Sequence, residues 1–170
     1  MAASFLEIVE GRLIQDGIDL LEGQGVTDIL VIPLFVSSGS THVNEIAYAL
    51  GVLDAPSFDS DLEPFRVGAT IHYGSPIEHG PYVAEMLWDK IKPVSRDPKR
   101  EVLVLIGHGS SYESFRKRWE EGLRRLAEQV REIGGFACAD VALLRPDQVR
   151  GTVAYWQKER GMQVVAAPLF

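Results

Sequence analysis

The sequence predicts a doubly wound α/β fold, an open parallel sheet flanked by helices. Three observations carry that prediction. Two runs, Asp28–Val36 (DILVIPLFV) and Glu101–Ile106 (EVLVLI), are apolar on both alternating faces, as strands buried inside a parallel sheet must be. Apolar runs alternate with amphipathic segments along the chain, which is the order of βαβ units. Each of the two runs also passes into a loop of small residues holding one histidine. These loops are Ser37-Ser38-Gly39-Ser40-Thr41-His42 and Gly107-His108-Gly109-Ser110. In an open α/β sheet the carboxyl ends of the strands are where ligands bind.

The elements follow in order. A helix precedes Asp28–Val36, which is expected to be a fully buried strand. Residues 41–50 read as a short helix closed by Gly51, and 53–64 as a polar loop with two prolines. Residues 65–73 read as a strand and 81–91 as a helix with Pro81 in its first turn. After a charged connector, 101–106 is a second buried strand. Residues 113–133 form the clearest helix, because Phe115, Trp119, Leu123, Leu126, Val130 and Ile133 recur at three- and four-residue steps. Ser110 and Glu113 have the spacing of a capping box at its start, and Gly134-Gly135 ends it. Residues 136–143 read as a strand, 147–160 as a helix and 163–170 as a strand.

Composition narrows the function. Hydrophobic residues make up 46% and charged residues 24% of the 170, the balance of a soluble domain. The net charge of −7 argues against a general nucleic-acid binder. The arginines and lysines of residues 116–131 alternate with Glu113, Glu120, Glu121 and Glu128, which reads as a solvated, ion-paired helix face. No apolar run is long enough to span a bilayer, and no leader pattern opens the chain. Cys138 is the only cysteine, so a reducing, cytoplasmic setting is expected. There is no phosphate-loop lysine motif and no dinucleotide glycine fingerprint, so no nucleotide is expected, and no Gly-x-Ser-x-Gly elbow, so an esterase is not expected.

The segment Arg12–Phe35 runs helix, glycine, apolar strand, Pro-Leu-Phe, and Asp147–Phe170 repeats that order. A duplicated architecture is the expectation. Residues 1–92 would be the C-terminal part of a first repeat, 93–100 a connector and 101–170 the N-terminal part of a second. In this register the counterpart of His108 falls before Met1 and that of His42 falls after Phe170. The chain is therefore expected to be a fragment of a longer two-repeat protein.

Strand-PLFVSSGSTHV-helix and VLVLIGHGS followed by a long amphipathic helix together resemble the class II tetrapyrrole metal chelatases, most closely those acting on sirohydrochlorin. Tyr73-Gly74-Ser75-Pro76-Ile77-Glu78-His79-Gly80-Pro81 resembles the connection before the next helix in that family. The resemblance implies a chelatase-like, flavodoxin-like fold. It also implies ATP-independent insertion of Co²⁺ or Fe²⁺, as substrate, into an acidic macrocycle of cobalamin or siroheme biosynthesis. A second repeat or a homodimer partner would face the site across a cleft. Within one repeat the family pairs a Gly-His-Gly histidine with a later Ser-Gly-x-His histidine. Here one repeat keeps His42 and the other keeps His108.

The residue chemistry suits that role. Neutral imidazole is a good ligand for Co²⁺ and Fe²⁺. Metal insertion also removes two protons from the macrocycle, so a base is needed. His42 and His108 are thus candidates for metal ligand and for base. A helix directly after His108 would disfavour its protonation. Ser37, Ser38, Gly39, Gly107, Gly109 and Ser110 are candidates to hold the macrocycle, the glycines by letting a flat ring approach the backbone. Other readings stand beside these. Gly107–Ser110 also fits a plain strand-to-helix turn with a cap, and His42 an exposed capping residue. His72 reads as a hydrogen-bonded core histidine and His79 as a cap or cleft-rim residue. Trp88, Trp119 and Trp156 read as core packing, and Cys138 as a small buried residue. A non-catalytic metal or tetrapyrrole binding module, or a structural half of a fused chelatase, are the alternative functions.

Overall fold

The computed structural model describes residues 1–169; Phe170, the last residue of the expected closing strand, lies outside the described residues. The chain is α/β, as expected, and divides into two compact units: Met1–Pro33 with His42–Ser75, and Leu34–Thr41 with Pro76–Phe170. These units are defined by packing, whereas the expected division at 92/93 and 100/101 concerns duplication, a separate matter.

The first unit holds α1 (Ile14–Gly23), β1 (Asp28–Val31), most of α2 (Thr41–Ala49) and β2 (Thr70–Tyr73). The two strands pair in parallel, Asp28 opposite Thr70 through Val31 opposite Tyr73. Both are shorter than their apolar patterns suggest, for identifiable reasons. Pro33 has no N–H to give to a ladder, and the last carbonyl of β1, on Val31, accepts from Gly74 N at 2.8 Å. On the other side, residues 66–69 are held by helix side chains instead of by β1. Gln15 exchanges two bonds with the Arg66 backbone at 2.9 and 3.1 Å, and Glu22 Oε1 accepts from Gly68 N and Ala69 N at 2.7 and 2.8 Å. The expected full burial of Asp28–Val36 is also corrected. Ile29 is buried, but Leu30 is 66% and Ile32 56% exposed. β1 pairs with one strand on one edge only, and the face that carries Leu30 and Ile32 is left exposed.

The second unit is built on a three-stranded parallel sheet in the order β4-β3-β5, where β3 is Glu101–Gly109, β4 is Cys138–Arg145 and β5 is Gln163–Leu169. β3 is central and paired on both edges, and Glu101–Leu105 are all buried. The strand's period of two sends Leu103 and Leu105 to one face and Val102, Val104 and Ile106 to the other. The first face packs beneath α3 (Pro81–Ile91) and α4 (Glu113–Gly134) in one cluster with Trp119, Leu123, Leu126, Val130, Val141 and Leu143. The second packs with Ala142, Val149 and Trp156.

α3 spans the predicted residues, with Pro81 in its first turn. Five of the six stripe residues of α4 are buried; Ile133 is 44% exposed. Gly135, at φ +69°, closes the helix in the left-handed region. The charged face is ion-paired as expected, Lys117 to Glu113 at 2.7 Å and Arg131 to Glu128 at 2.5 Å. The predicted capping box does not form. Tyr112 is the N-cap residue, and Ser110 Oγ instead accepts from Tyr112 N at 3.2 Å, closing a turn before the helix. The last predicted helix is shorter and irregular: α5 (Val149–Ala154) runs into one π-type turn, 155–159. There Trp156 Nε1 donates to Asp140 Oδ2 at 2.7 Å, so Trp156 packs as expected but with its polar edge satisfied.

Candidate functional site

His108 is not in a loop. β3 continues through it, with Gly107 opposite Leu143 and Leu169, and Gly109 opposite Arg145. The same alternation that buries Val102 and Val104 carries His108 outward, one step past the end of the core, where it is exposed. It therefore stands at the carboxyl end of the central strand of a parallel sheet, the position where such sheets bind ligands. Its Nδ1 lies 3.1 Å from the Gly109 carbonyl oxygen. A carbonyl can only accept, so Nδ1 carries the hydrogen and the neutral ring has its lone pair on Nε2. The expected influence of a helix terminus is replaced by this contact, because α4 begins only at Glu113.

The three candidate glycines have packing reasons for their identity. A Cβ on Gly39 would sit 2.6 Å from the Phe115 carbonyl oxygen and 2.6 Å from Trp119 Cδ1, and one on Gly107 would sit 2.4 Å from Leu123 Cδ1. Gly39 and Gly107 thus let α4 lie flush on the Ser37–Ser40 turn and on β3. Gly109 adopts φ +75°, and a Cβ there would meet the Arg145 carbonyl oxygen at 2.3 Å. The space expected for a flat ring is filled at these positions by the protein itself.

Ser37 and Ser110 are 5% and 7% exposed, and their hydroxyl oxygens accept from Gly39 N and Tyr112 N at 3.0 and 3.2 Å. Ser38 offers its backbone: its N–H donates to Glu78 Oε1 at 3.1 Å, and Ile77 N donates to Phe35 O at 2.9 Å, stapling the 35–40 turn to the segment before α3. Beside this staple is a small crevice of about 10 Å³, room for about one water, lined by Val36, Ser37, Glu78, Trp119, Leu123 and Leu169. It is smaller than the roughly 300–1,000 Å³ of most small-molecule pockets. Trp119 is core, as expected, yet its Nε1 is buried without a hydrogen-bond partner among the described residues, and so is His79 Nδ1. His79 is half-buried and directly precedes Gly80, the N-cap residue of α3.

His42 belongs to the first unit, as the second residue of α2. Its Nδ1 meets Glu45 Oε1, one helical step away. Glu45 Oε2 in turn accepts from Ser60 Oγ at 3.0 Å. The sequence reading missed Glu45, although a carboxylate three residues after a candidate histidine on a helix was a usable signal. Tyr73 closes the same neighbourhood by donating to the Val43 carbonyl at 3.0 Å, and burial pushes its phenol up to about 12.

His72 corrects its expected core role. It is exposed, and its Nε2 pairs with Asp28 Oδ1 at 3.2 Å across the strands. The hydrogen bond from His72 holds the Asp28 carboxyl below its usual range. Cys138 is half-buried at the start of β4 rather than fully buried. Among the described residues no group of three or more His, Cys, Asp or Glu is placed to hold a metal ion, and no helix is long and apolar enough to cross a membrane.

Comparison with known proteins adds to this geometry. The family model described as CbiX matches residues 1–94. SirB from Bacillus subtilis, solved with Fe³⁺, is similar over 98% of this chain and 62% of its own length, at 23% identity and a TM-score of 0.71. The sirohydrochlorin chelatase SirB of subspecies spizizenii, in complex with cobalt, is similar over 97% of this chain and 58% of its own, at 20% identity and a TM-score of 0.65. DR2241 from Deinococcus radiodurans, a multi-domain protein described as structurally similar to chelatases, matches 95% of this chain and 40% of its own length, at 17% identity and a TM-score of 0.52. These likenesses bear out the chelatase-like fold. The chain spans about three fifths of the SirB proteins it matches. No curated protein matches it.

Proposed function

The chain belongs to the CbiX family, and on that premise we propose that it serves the insertion of Co²⁺ or Fe²⁺ into sirohydrochlorin or a related acidic precorrin, as a lyase that uses no nucleotide. The observation that carries the reading is His108. A ring that donates Nδ1–H to the Gly109 carbonyl presents its Nε2 lone pair at the exposed carboxyl end of the central strand. That atom can coordinate an arriving divalent ion or take a pyrrolic proton as the metal enters. His42 is the second such group in this reading.

The macrocycle would lie over the strand ends, since the crevice beside Ser37 is too small to enclose it. Its acidic arms would meet Ser38, the Ser37–Gly39 turn and, at the end of β3, Gly107–Gly109 with the Ser110–Tyr112 turn. The buried serines shape those turns, and the glycines let α4 support them. A second repeat or a homodimer partner across a cleft completes the site, residues 1–92 and 101–170 are parts of two repeats, and the setting is cytoplasmic.

The test follows the visible spectrum of sirohydrochlorin with Co²⁺ and then Fe²⁺, against the uncatalysed rate, for the parent protein and for His42→Ala and His108→Ala. Acceleration that falls at least tenfold in either variant is expected. Equal rates in both variants and the parent would overturn the reading, and binding of metal and macrocycle without acceleration would mark a carrier.

A further inference from the structure

We propose that Glu45 is the positioning residue of His42, and that Ser60 positions Glu45. The helix puts residues three apart on one face, so Thr41–Ala49 brings the His42 ring and the Glu45 carboxylate together by geometry alone. Their exposure differs sharply: the His42 side chain is 50% and the Glu45 side chain 13% exposed. The carboxylate is thus the inner group and the ring the outer one.

Both carboxylate oxygens are engaged. Oε1 meets His42 Nδ1, and Oε2 accepts from Ser60 Oγ at 3.0 Å. Ser60 is held in turn, because its Oγ accepts from Leu62 N at 3.2 Å. That bond directs the hydroxyl hydrogen toward Glu45. The chain of contacts runs from the 57–62 loop through Ser60 and Glu45 to the ring.

A carboxylate has no hydrogen to give, so Nδ1 must be the protonated nitrogen and Nε2 must hold the lone pair of the neutral ring. Imidazole left to itself in water favours the opposite tautomer. Glu45 therefore decides which nitrogen His42 presents. A carboxylate behind a ligating histidine fixes ring orientation in this way, and its loss costs about 10–100-fold in metal affinity. The importance of this for metal rests on the proposed function; the tautomer does not.

The experiment uses the full 170-residue chain with ¹⁵N-labelled histidine. The parent ring of His42 is expected to show a protonated Nδ1, and Glu45→Ala to shift the majority to a protonated Nε2. Glu45→Gln, whose amide oxygen still accepts, should keep most of the parent tautomer, and Ser60→Ala should fall between. In a second arm, calorimetric Co²⁺ binding is measured in a His108→Ala background, where Glu45→Ala is expected to weaken affinity about 10–100-fold. The same His42 tautomer in the parent and in a folded Glu45→Ala variant overturns the proposal. A shifted tautomer with unchanged Co²⁺ affinity supports the positioning role and counts against His42 as a metal ligand. A tautomer shift with no Co²⁺ binding even by the parent supports the positioning role and counts against the proposed function instead. If Glu45→Ala does not fold, Ser60→Ala carries the test, and the parent tautomer unchanged in that variant overturns the proposal.

Discussion

β1 and β3 share one sequence signature and have opposite fates. In the sequence both are continuous apolar runs that lead to a histidine among small residues, His42 in α2 after the first and His108 within β3 itself. β3 is paired on both edges and covered on both faces, so five consecutive residues are buried. β1 is paired on one edge, and only Ile29 of its four residues is buried. An apolar run reports what a strand is able to bury; its neighbours decide what it does bury. The same contrast runs through the two histidines. In the second unit a backbone carbonyl fixes the ring of His108, whereas in the first a carboxylate on the same helix fixes that of His42.

The largest test of this contrast is a pair of truncations. Leu105→Ala should cost about 2–5 kcal/mol, because its fully buried side chain would leave a cavity under α4. Leu30→Ala should change stability by no more than about 0.5 kcal/mol. Chemical denaturation decides it, and equal costs would mean that β1 is covered in solution.

Glycines give the next contrast. Gly39→Ala should cost about 1–3 kcal/mol, since the new methyl would press on the Phe115 carbonyl and on Trp119. Gly23→Ala at the end of α1, where nothing lies within 4 Å, should be neutral or stabilising by up to about 1 kcal/mol. Thermal melts separate the two outcomes.

The smallest effects are in pH. Glu101 is buried, which by itself pushes its carboxyl up, but bonds from Ser95 Oγ at 2.5 Å, Arg96 N at 2.9 Å and Asp97 N at 3.2 Å outweigh burial and leave it lowered. Its contribution is full above the ordinary value of 4.5 and is lost as the pH falls below it. Glu101→Gln should flatten that acid limb. Tyr73 acts in the opposite sense. Raised from 10.0 to about 12, it favours the folded chain below pH 10 and loses that contribution as the pH climbs toward 12. Tyr73→Phe should remove the alkaline limb, and a stability–pH profile of each variant measures both.

Much of this was legible in the residues. α3 and the buried face of α4 follow from helical periodicity and from punctuation by Pro81 and Gly135, which act locally. Strand lengths were not legible, because they depend on distant partners. β2 begins late because Gln15 and Glu22 hold the backbone of 66–69, some fifty residues away in sequence. The capping box at Ser110 failed because a turn closed by that same hydroxyl competes for it. In the candidate site, the two histidines were visible as motifs, whereas Ser60 was not. It reaches Glu45 from a loop fifteen residues on, and nothing in that loop's composition announces it.

The chain enters the second unit at Leu34, returns to the first at His42 and leaves it again after Ser75. Three peptide connections therefore join the two units, and no single cut parts them. A nick after Ser75 would strand the eight residues Leu34–Thr41 with the wrong fragment, and a gene trimmed to Pro76 onward would lack the turn on which α4 rests through Gly39. Each half must be made with a piece of the other's sequence, so dissection of this protein calls for permuted or co-expressed fragments rather than truncation.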